Sequence, residues 1–373
     1  MKIDRSLLKT PGQLLSHLMA VKGWSNRLLS SVSGLEESAV SRLLVDKKPI
    51  TADVAVLLEN IFEVRADELM ELQKNFDLAK ARYAATPNPR LALRAKLLND
   101  LPISEMVSRG WLKLQNTKNI DDIEAAISAF FGSDKNEDVQ IMSYAAKKTN
   151  AQESILPVQL AWLFRVGSIA QQMLVKPFNK SKLNKLEEQL KPLLIAPQEA
   201  RKVPKLFAEY GIRLVFVEAL KGSKIDGVCF WLDDKSPVIG MSLRFDRMDN
   251  FWFVLRHELE HVVQGHGKAS PHFDIDDGSS KIDAEEVAAN DAASNFCVLQ
   301  TKVESFIARK APLFQERDFL GFARLAGVHP CIVAGQIRHK TKRFELFNAH
   351  NEKIRDHVLP SAITDGWGTI APV

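Results

Sequence analysis

The stretch DNFWFVLRHELEHVVQG, residues 249–265, carries the strongest structural signal in this sequence. Apolar residues surround two histidines that are four positions apart, and a glycine follows, which predicts a single helix. Four residues advance a helix by about 6 Å and rotate it by about 40°, so His257 and His261 share one face and can bind one ion. Glu258 follows within the same turn and can reach a water molecule on that ion. This HExxH spacing is typical of a zinc site with its general base.

A catalytic zinc ion usually has three protein ligands and one position for water, so a third ligand is expected. Ala284–Ala293 predicts an alanine-rich helix whose small side chains allow close packing against the first helix. Glu286 is the favoured third ligand, because Asn290 follows one turn later and can hydrogen-bond a ligand histidine. Glu285 is the alternative, and both glutamates also suit the first turn of a helix. His266 is one position short of the metzincin spacing and is interpreted as a helix-end residue.

Short β-rich segments precede the HExxH helix. Ile212–Val217, Val228–Trp231 and Val238–Met241 are bounded by glycine and proline, which predicts a small sheet. The acidic segment 272–278 is interpreted as a loop. Residues 206–373 are therefore predicted to form one α+β domain with a helical C-terminal extension.

The remainder of the chain has helical periodicity. Residues 1–83 contain short amphipathic segments separated by turn residues, which predicts an all-α domain. The polar run from Ala84 to Arg90 contains two prolines and predicts a linker. Residues 84–205 are predicted to be a helical connector. The fold class is thus multidomain: an all-α domain, a helical connector and an α+β domain.

The composition is that of an ordinary globular protein, since 46% of the residues are hydrophobic and 26% are charged. Residues 1–50 contain eight basic and four acidic side chains, so the net charge of +4 is concentrated at this end. The three cysteines, Cys229, Cys297 and Cys331, are isolated in the sequence, which argues against a disulfide framework. This pattern favours a reducing compartment. The sequence has neither a signal peptide nor an apolar run long enough for a membrane span, so we expect a cytoplasmic protein without a membrane partner.

Several motifs together resemble the ImmA/IrrE family of zinc metallopeptidases over roughly residues 205–300. They are Pro237–Ile239, Ser242–Arg244, Arg247, Asp249–Phe253, the HExxH, and Glu286 with Asn290. The resemblance implies a zincin-like domain with a small mixed sheet, often joined to a helix-turn-helix domain, and limited cleavage of a transcriptional repressor. It assigns one zinc ion per chain to His257, His261 and Glu286, and the role of general base to Glu258.

Two further residues bear on turnover. Family members commonly have glycine or alanine where this chain has Glu260, whose bulk and charge could narrow the cleft or form a hydrogen bond. A transition-state oxyanion also needs a donor besides zinc, and all three tyrosines precede the HExxH. His329 is the candidate for this catalytic role, and a turn or capping role is its alternative.

The N-terminal segment resembles the helix-turn-helix domain of HigA-type antitoxins, which is of the XRE type, over about 70 residues. The resemblance is carried by Trp24–Val32, the turn at Ser33-Gly34, Glu36–Leu44 and Lys47–Thr51. It implies that the protein binds a double-stranded DNA operator. Because proteins of this type that read two half-sites are usually dimers, a homodimer is expected.

The second helix of this motif would face the major groove. It would present Ser38, Ser41 and Arg42 to base edges, with Lys47 and Lys48 on phosphates. The neighbouring Glu36 and Glu37 would repel phosphate, although either could accept a hydrogen bond from a cytosine amino group.

The motifs are compatible with two functions. In the first, the protein is a DNA-binding regulator with zinc-dependent endopeptidase activity that cleaves a repressor or partner protein. In the second, it is a HigA-like antitoxin and autorepressor with a toxin-like partner, and its zinc domain is a structural or sensory module without turnover.

Overall fold

Glycines and capping hydroxyls divide the N-terminal region into short helices.

The computed structural model describes residues 9–84, 95, 99, 101–116, 119–132, 156–268, 271–275 and 284–371, without the side chains of 272–275. The chain divides into two compact units, Met1–Leu91 and Ala92–Val373. The residues of the predicted connector from Ala92 onward therefore share a unit with the sheet. Residues 85–90 of the predicted linker lie outside the described residues.

The described part of the first unit is helical, as expected. Its helices are α1 (Pro11–Lys22), α2 (Asn26–Ser33), α3 (Glu37–Leu44), α4 (Ala52–Phe62) and α5 (Ala66–Ala84). The Thr10 side chain caps α1 and that of Ser25 caps α2. Gly34 ends α2 with a left-handed φ of 71°, so that α3 begins three residues later and packs against α2. This is a helix-turn-helix arrangement, with Leu29 and Val40 fully buried in its core.

The second unit contains the other described helices. They are α6 (Ile103–Ser108), α7 (Ile120–Phe130), α8 (Pro157–Gln172), α9 (Leu183–Leu190), α10 (Val203–Glu209), α11 (Met248–Gln264), α12 (Ala284–Cys297), α13 (Gln300–Lys310), α14 (Glu316–Ala326), α15 (Pro330–Thr341) and α16 (Arg355–Val358). Short 3₁₀ segments cover Lys180–Lys182, Lys191–Ile195, Pro197–Lys202, Asn348–His350 and Leu359–Ser361.

A five-stranded mixed sheet lies within this unit. Its strands are β1 (Arg213–Val217), β2 (Ile225–Trp231), β3 (Pro237–Met241), β4 (His272–Ile275) and β5 (Ile363–Asp365), in the order β4-β2-β3-β1-β5. β1 runs parallel to β3 and β5, whereas β2 runs antiparallel to β3 and β4. The interpretation of residues 272–278 as a loop is wrong for 272–275, because their backbone pairs with β2; residues 276–278 lie outside the described residues. The chain is mostly helical with a small mixed sheet, as predicted.

The two faces of the sheet pack on different helices. Alternation along β1 places Phe216 on the face that packs against Trp252 of α11 and Val215 on the face that packs against Trp162 of α8. Both faces are therefore buried, and α11 lies directly on the sheet.

Asp365 connects β5 to distant parts of the unit. Its buried carboxylate accepts hydrogen bonds from Trp111 Nε1 at 2.7 Å and from Arg165 Nε at 2.9 Å. Trp111 and Arg165 lie 254 and 200 residues earlier in the chain. A buried carboxylate with a charged partner and a second donor is well satisfied, so this cluster fixes one edge of the sheet.

No individual helix among the described residues combines the length and apolar composition that a membrane span requires. The bent pair α14 and α15, at 111°, meets those criteria jointly. Both helices contribute buried residues to the core, including Phe319 and Ile332.

Candidate metal centre

The HExxH segment lies on α11, between the sheet and α12. His257 and His261 are each 1% exposed, and their Nε2 atoms are 3.1 Å apart. One helical turn separates the two residues, so both rings leave the helix on the same side. The helix therefore brings two imidazoles together in a buried position.

Glu286, on α12, completes a three-residue donor set. Its carboxylate oxygens lie 3.4 Å from His257 Nε2 and 3.5 Å from His261 Nε2. α12 approaches α11 closely because Ala289 and Ala293 are fully buried between the neighbouring elements. These three side chains could hold a metal ion.

Two different oxygens of Glu286 face the histidines: Oε2 lies 3.4 Å from His257 Nε2, and Oε1 lies 3.5 Å from His261 Nε2. One ligand atom from each of the three residues lies within 4.8 Å of the other two, which is compatible with a bound metal ion such as zinc. The carboxylate of Glu285 lies 3.4 Å from His266 Nδ1 instead. Of the two candidate glutamates, the structure brings Glu286 to the histidine pair.

The outer nitrogen of each histidine has a partner. His257 Nδ1 lies 3.2 Å from Asn290 Oδ1, which can accept a hydrogen bond but not donate one. In the tautomer that donates from Nδ1 to this oxygen, His257 Nε2 presents its lone pair to the donor set. His261 Nδ1 lies 3.0 Å from His266 Nδ1.

The environment of His261 favours its neutral form. Burial lowers the pKa of His261, and the nearby carboxylate of Glu286 opposes this shift. Neutral imidazole is the form that binds a metal ion.

Glu258 is fully buried on α11 and faces β2. A Cβ atom added to Gly227 of β2 would lie 2.9 Å from Glu258 Cγ and would overlap its carboxylate. A side chain at position 227 would therefore displace the side chain of Glu258. In the sequence Gly227 was expected only to bound a strand; it lies within β2, and its role beside Glu258 depends on the packing of β2 against α11.

Glu260 is held by its own helix. It accepts hydrogen bonds from Arg256 Nη1 at 2.9 Å and from Gln264 Nε2 at 2.6 Å, and Arg256 also contacts Glu187 at 3.0 Å. The charge of Glu260 is therefore engaged in a buried ion pair with Arg256, and these two residues directly precede the donors His261 and His257 in the sequence. Arg256 at i−4 was the available sequence signal.

His329 occupies a different position from the one its proposed catalytic role requires. It is the N-cap residue of α15, where its Nδ1 accepts a hydrogen bond from Cys331 N at 3.2 Å. Cys331 contacts Asp249, which precedes His257 by about 12 Å along α11. The structure supports the capping role and does not bring His329 to the donor set.

The three cysteines are free and buried. Burial raises the pKa of Cys297 to about 12, that of Cys331 to about 11, and that of Cys229 well above its ordinary value. The thiols are therefore protonated at neutral pH and are poor nucleophiles.

The proposed DNA-contacting side chains lie on and just after α3. Ser38, Ser41, Arg42 and Lys47 are exposed, and Lys48 is half-buried. Arg42 Nε donates to the Ser38 carbonyl at 3.2 Å, so this side chain lies along its own helix.

The two acidic residues at the start of α3 have a local structural role. Glu36 is the N-cap residue and Glu37 is the first helical residue. Negative side chains at this end of a helix are stabilised by its dipole.

No protein-family model matches this chain, and no curated protein is significantly similar to it.

Proposed function

We propose that this protein is a cytoplasmic regulator with zinc-dependent endopeptidase activity, related to the ImmA/IrrE peptidases, that cleaves a repressor or partner protein. The observation that carries the proposal is the buried donor set of His257, His261 and Glu286 with Glu258 on the same helix. The N-terminal helix-turn-helix unit would bring the protein to an operator.

Zinc is the metal that best suits these side chains. Two imidazole nitrogens and one carboxylate form the three-ligand set found in many catalytic zinc sites. One ligand atom from each of the three residues lies within 4.8 Å of the other two, and three protein ligands leave a fourth position for water or substrate.

The chemistry follows from the roles of the neighbouring residues. Bound zinc would polarise the scissile carbonyl and make a water molecule more acidic. Glu258 would accept a proton from the attacking water and return it to the leaving amine. Gly227 leaves the space that this carboxylate needs, and Asn290 holds His257 in the required tautomer.

The test compares wild-type protein with Glu258→Gln and, as a matched carboxylate control, Glu285→Gln. Zinc per chain is measured for all three, and newly formed protein N-termini are identified by mass spectrometry in cells that express each one. We expect zinc in all three proteins and new N-termini with wild type and Glu285→Gln. Cleavage that persists in Glu258→Gln would overturn the assignment of the base.

A second candidate function is a HigA-like antitoxin and autorepressor whose zinc domain does not turn over substrate. It is favoured by the helix-turn-helix arrangement of α2 and α3 and by the exposed cations Arg42 and Lys47. In this case a homodimer would bind the operator through α3 and a toxin-like protein would be the partner.

A promoter reporter distinguishes the two candidates. In the autorepressor, Arg42→Ala combined with Lys47→Ala raises expression from the promoter, whereas Glu258→Gln has no effect. Lys74→Ala, which removes an exposed cation of α5, is the control. If the double variant leaves promoter occupancy unchanged, the autorepressor hypothesis fails.

A further inference from the structure

The chain reverses direction immediately after α11. Gly265 has a left-handed φ of 84° and donates its N–H to the Val262 carbonyl at 3.2 Å, while His266 N donates to the His261 carbonyl at 2.9 Å. This pair of hydrogen bonds is a Schellman motif, which brings the second residue after the helix beside the last turn. In many proteins an apolar contact fills that position, whereas here it is occupied by two histidine rings.

The backbone of His266 is held independently of its ring. Its carbonyl accepts a hydrogen bond from Trp231 Nε1 at 2.8 Å, and a Cβ atom added to the next residue, Gly267, would lie 3.0 Å from the Cys229 carbonyl carbon. The loop is thus fixed to β2 by groups outside the imidazole. Replacing the side chain should therefore leave the loop in place.

The ring of His266 faces one of the metal-donor histidines. Its Nδ1 lies 3.0 Å from His261 Nδ1, and the ring centroids are 5.3 Å apart. The Glu285 carboxylate lies farther away, at 3.4 Å from the same nitrogen. The shorter separation is that of a hydrogen bond between the two imidazoles.

We propose that His266 is a positioning residue for the metal centre: its Nδ1 accepts a hydrogen bond from His261 Nδ1–H and so keeps the lone pair of His261 Nε2 directed at the donor set. The inference rests on the metal site of the proposed function. It assigns the proton of His266 to Nε2.

The two metal-donor histidines would then be oriented by different elements. Asn290 of α12 fixes His257, and the loop after α11 fixes His261. Partners of this kind typically contribute 10- to 100-fold, approximately, to metal affinity. A change at His266 is expected to weaken metal binding without removing any ligand.

The experiment measures zinc affinity of the full chain by competition with a chromophoric chelator, for wild type, His266→Leu, His266→Asn and Glu285→Ala. We expect His266→Leu to bind zinc roughly 10- to 100-fold more weakly, and His266→Asn to bind within about threefold of wild type because its amide oxygen can accept from His261. Glu285→Ala should bind as wild type. Thermal unfolding of the metal-free proteins is compared to show that all four are folded.

Nitrogen-15 NMR of zinc-loaded wild type provides a readout that needs no variant. We expect the proton of His261 on Nδ1 and that of His266 on Nε2. A proton on His266 Nδ1, wild-type affinity in His266→Leu, or failure of Asn to restore binding would overturn the inference. Wild type that binds zinc but cleaves nothing would contradict the peptidase proposal alone, whereas absence of zinc binding would overturn both.

Discussion

The two helices that carry the candidate functions, α11 and α3, differ in how their polar side chains are satisfied. On α11, Glu258 and both donor histidines are buried, and the partners of the histidines come from α12 and the following loop. On α3, Ser38 and Arg42 are exposed. The Ser38 hydroxyl donates a hydrogen bond to the Glu36 carboxylate, and Arg42 Nε donates one to the Ser38 carbonyl. Burial makes an unpaired polar group costly, so the geometry of α11 is fixed by the fold, whereas the side chains of α3 can rearrange when a partner binds.

The largest effect is expected from Glu286→Gln. The substitution keeps the size of the side chain but removes the negative charge, so zinc should fall from about one ion per chain to a small fraction of that. Inductively coupled plasma mass spectrometry after dialysis measures the content. Glu285→Gln is the matched control one residue away, and equal loss in both variants would contradict the assignment of Glu286.

The next effect concerns the buried charge pair of α11. Arg256→Met leaves the buried carboxylate of Glu260 without its guanidinium, which should destabilise the protein by about 3 kcal/mol in urea unfolding. The double variant Arg256→Met with Glu260→Leu should recover most of this loss.

An exposed ion pair in the first unit serves as the comparison for the buried ion pair of α11. Arg65 and Asp67 form a 2.9 Å ion pair in solvent, so Arg65→Ala should leave the unfolding midpoint unchanged. A loss as large as that of Arg256→Met would show that burial is not what distinguishes the two regions.

A smaller effect is expected where β2 meets α11. Gly227→Ala forces Glu258 to move and should cost about 1–3 kcal/mol, with loss of cleavage while zinc is retained. Gly321, in α14, has open space around its Cα, so Gly321→Ala should instead stabilise that helix by up to about 1 kcal/mol. If both variants behave alike in urea unfolding and cleavage, the space beside Glu258 is not restricted.

The smallest effect is expected on DNA binding by the first unit. Lys47→Ala should weaken binding to DNA from upstream of the coding region equally for all sequences and lower the salt slope by about 1. Fluorescence anisotropy at several salt concentrations measures both quantities. Lys74→Ala is the control, and an unchanged slope for Lys47→Ala would remove this residue from the DNA interface.

Periodicity and spacing were sufficient to predict α11, its donor histidines and the neighbouring helix with Glu286. Those features depend on residues three or four positions apart, which a helix brings together by itself. The role of His266 depends on the turn at Gly265, and glycine followed by histidine after HExxH was the available signal. Gly227 depends on contacts between distant segments, which one sequence does not reveal.

Two strands of the sheet were also not predicted from the sequence. β1, β2 and β3 are apolar and are visible in the sequence, whereas β4 contains Asp274 and was interpreted as part of a loop. β5 has three residues and pairs with a strand more than a hundred positions earlier. Strand pairing at that separation depends on the folded neighbours more than on local composition.

The cluster around Asp365 has a consequence for the order of folding during synthesis. Trp111 and Arg165 are translated 254 and 200 residues before the carboxylate that satisfies them. Because contacts over such separations form late and at a high entropic cost, the second unit cannot complete its sheet until residue 365 has left the ribosome. The first unit is closed by contacts within its own residues and can fold while the rest is still being made.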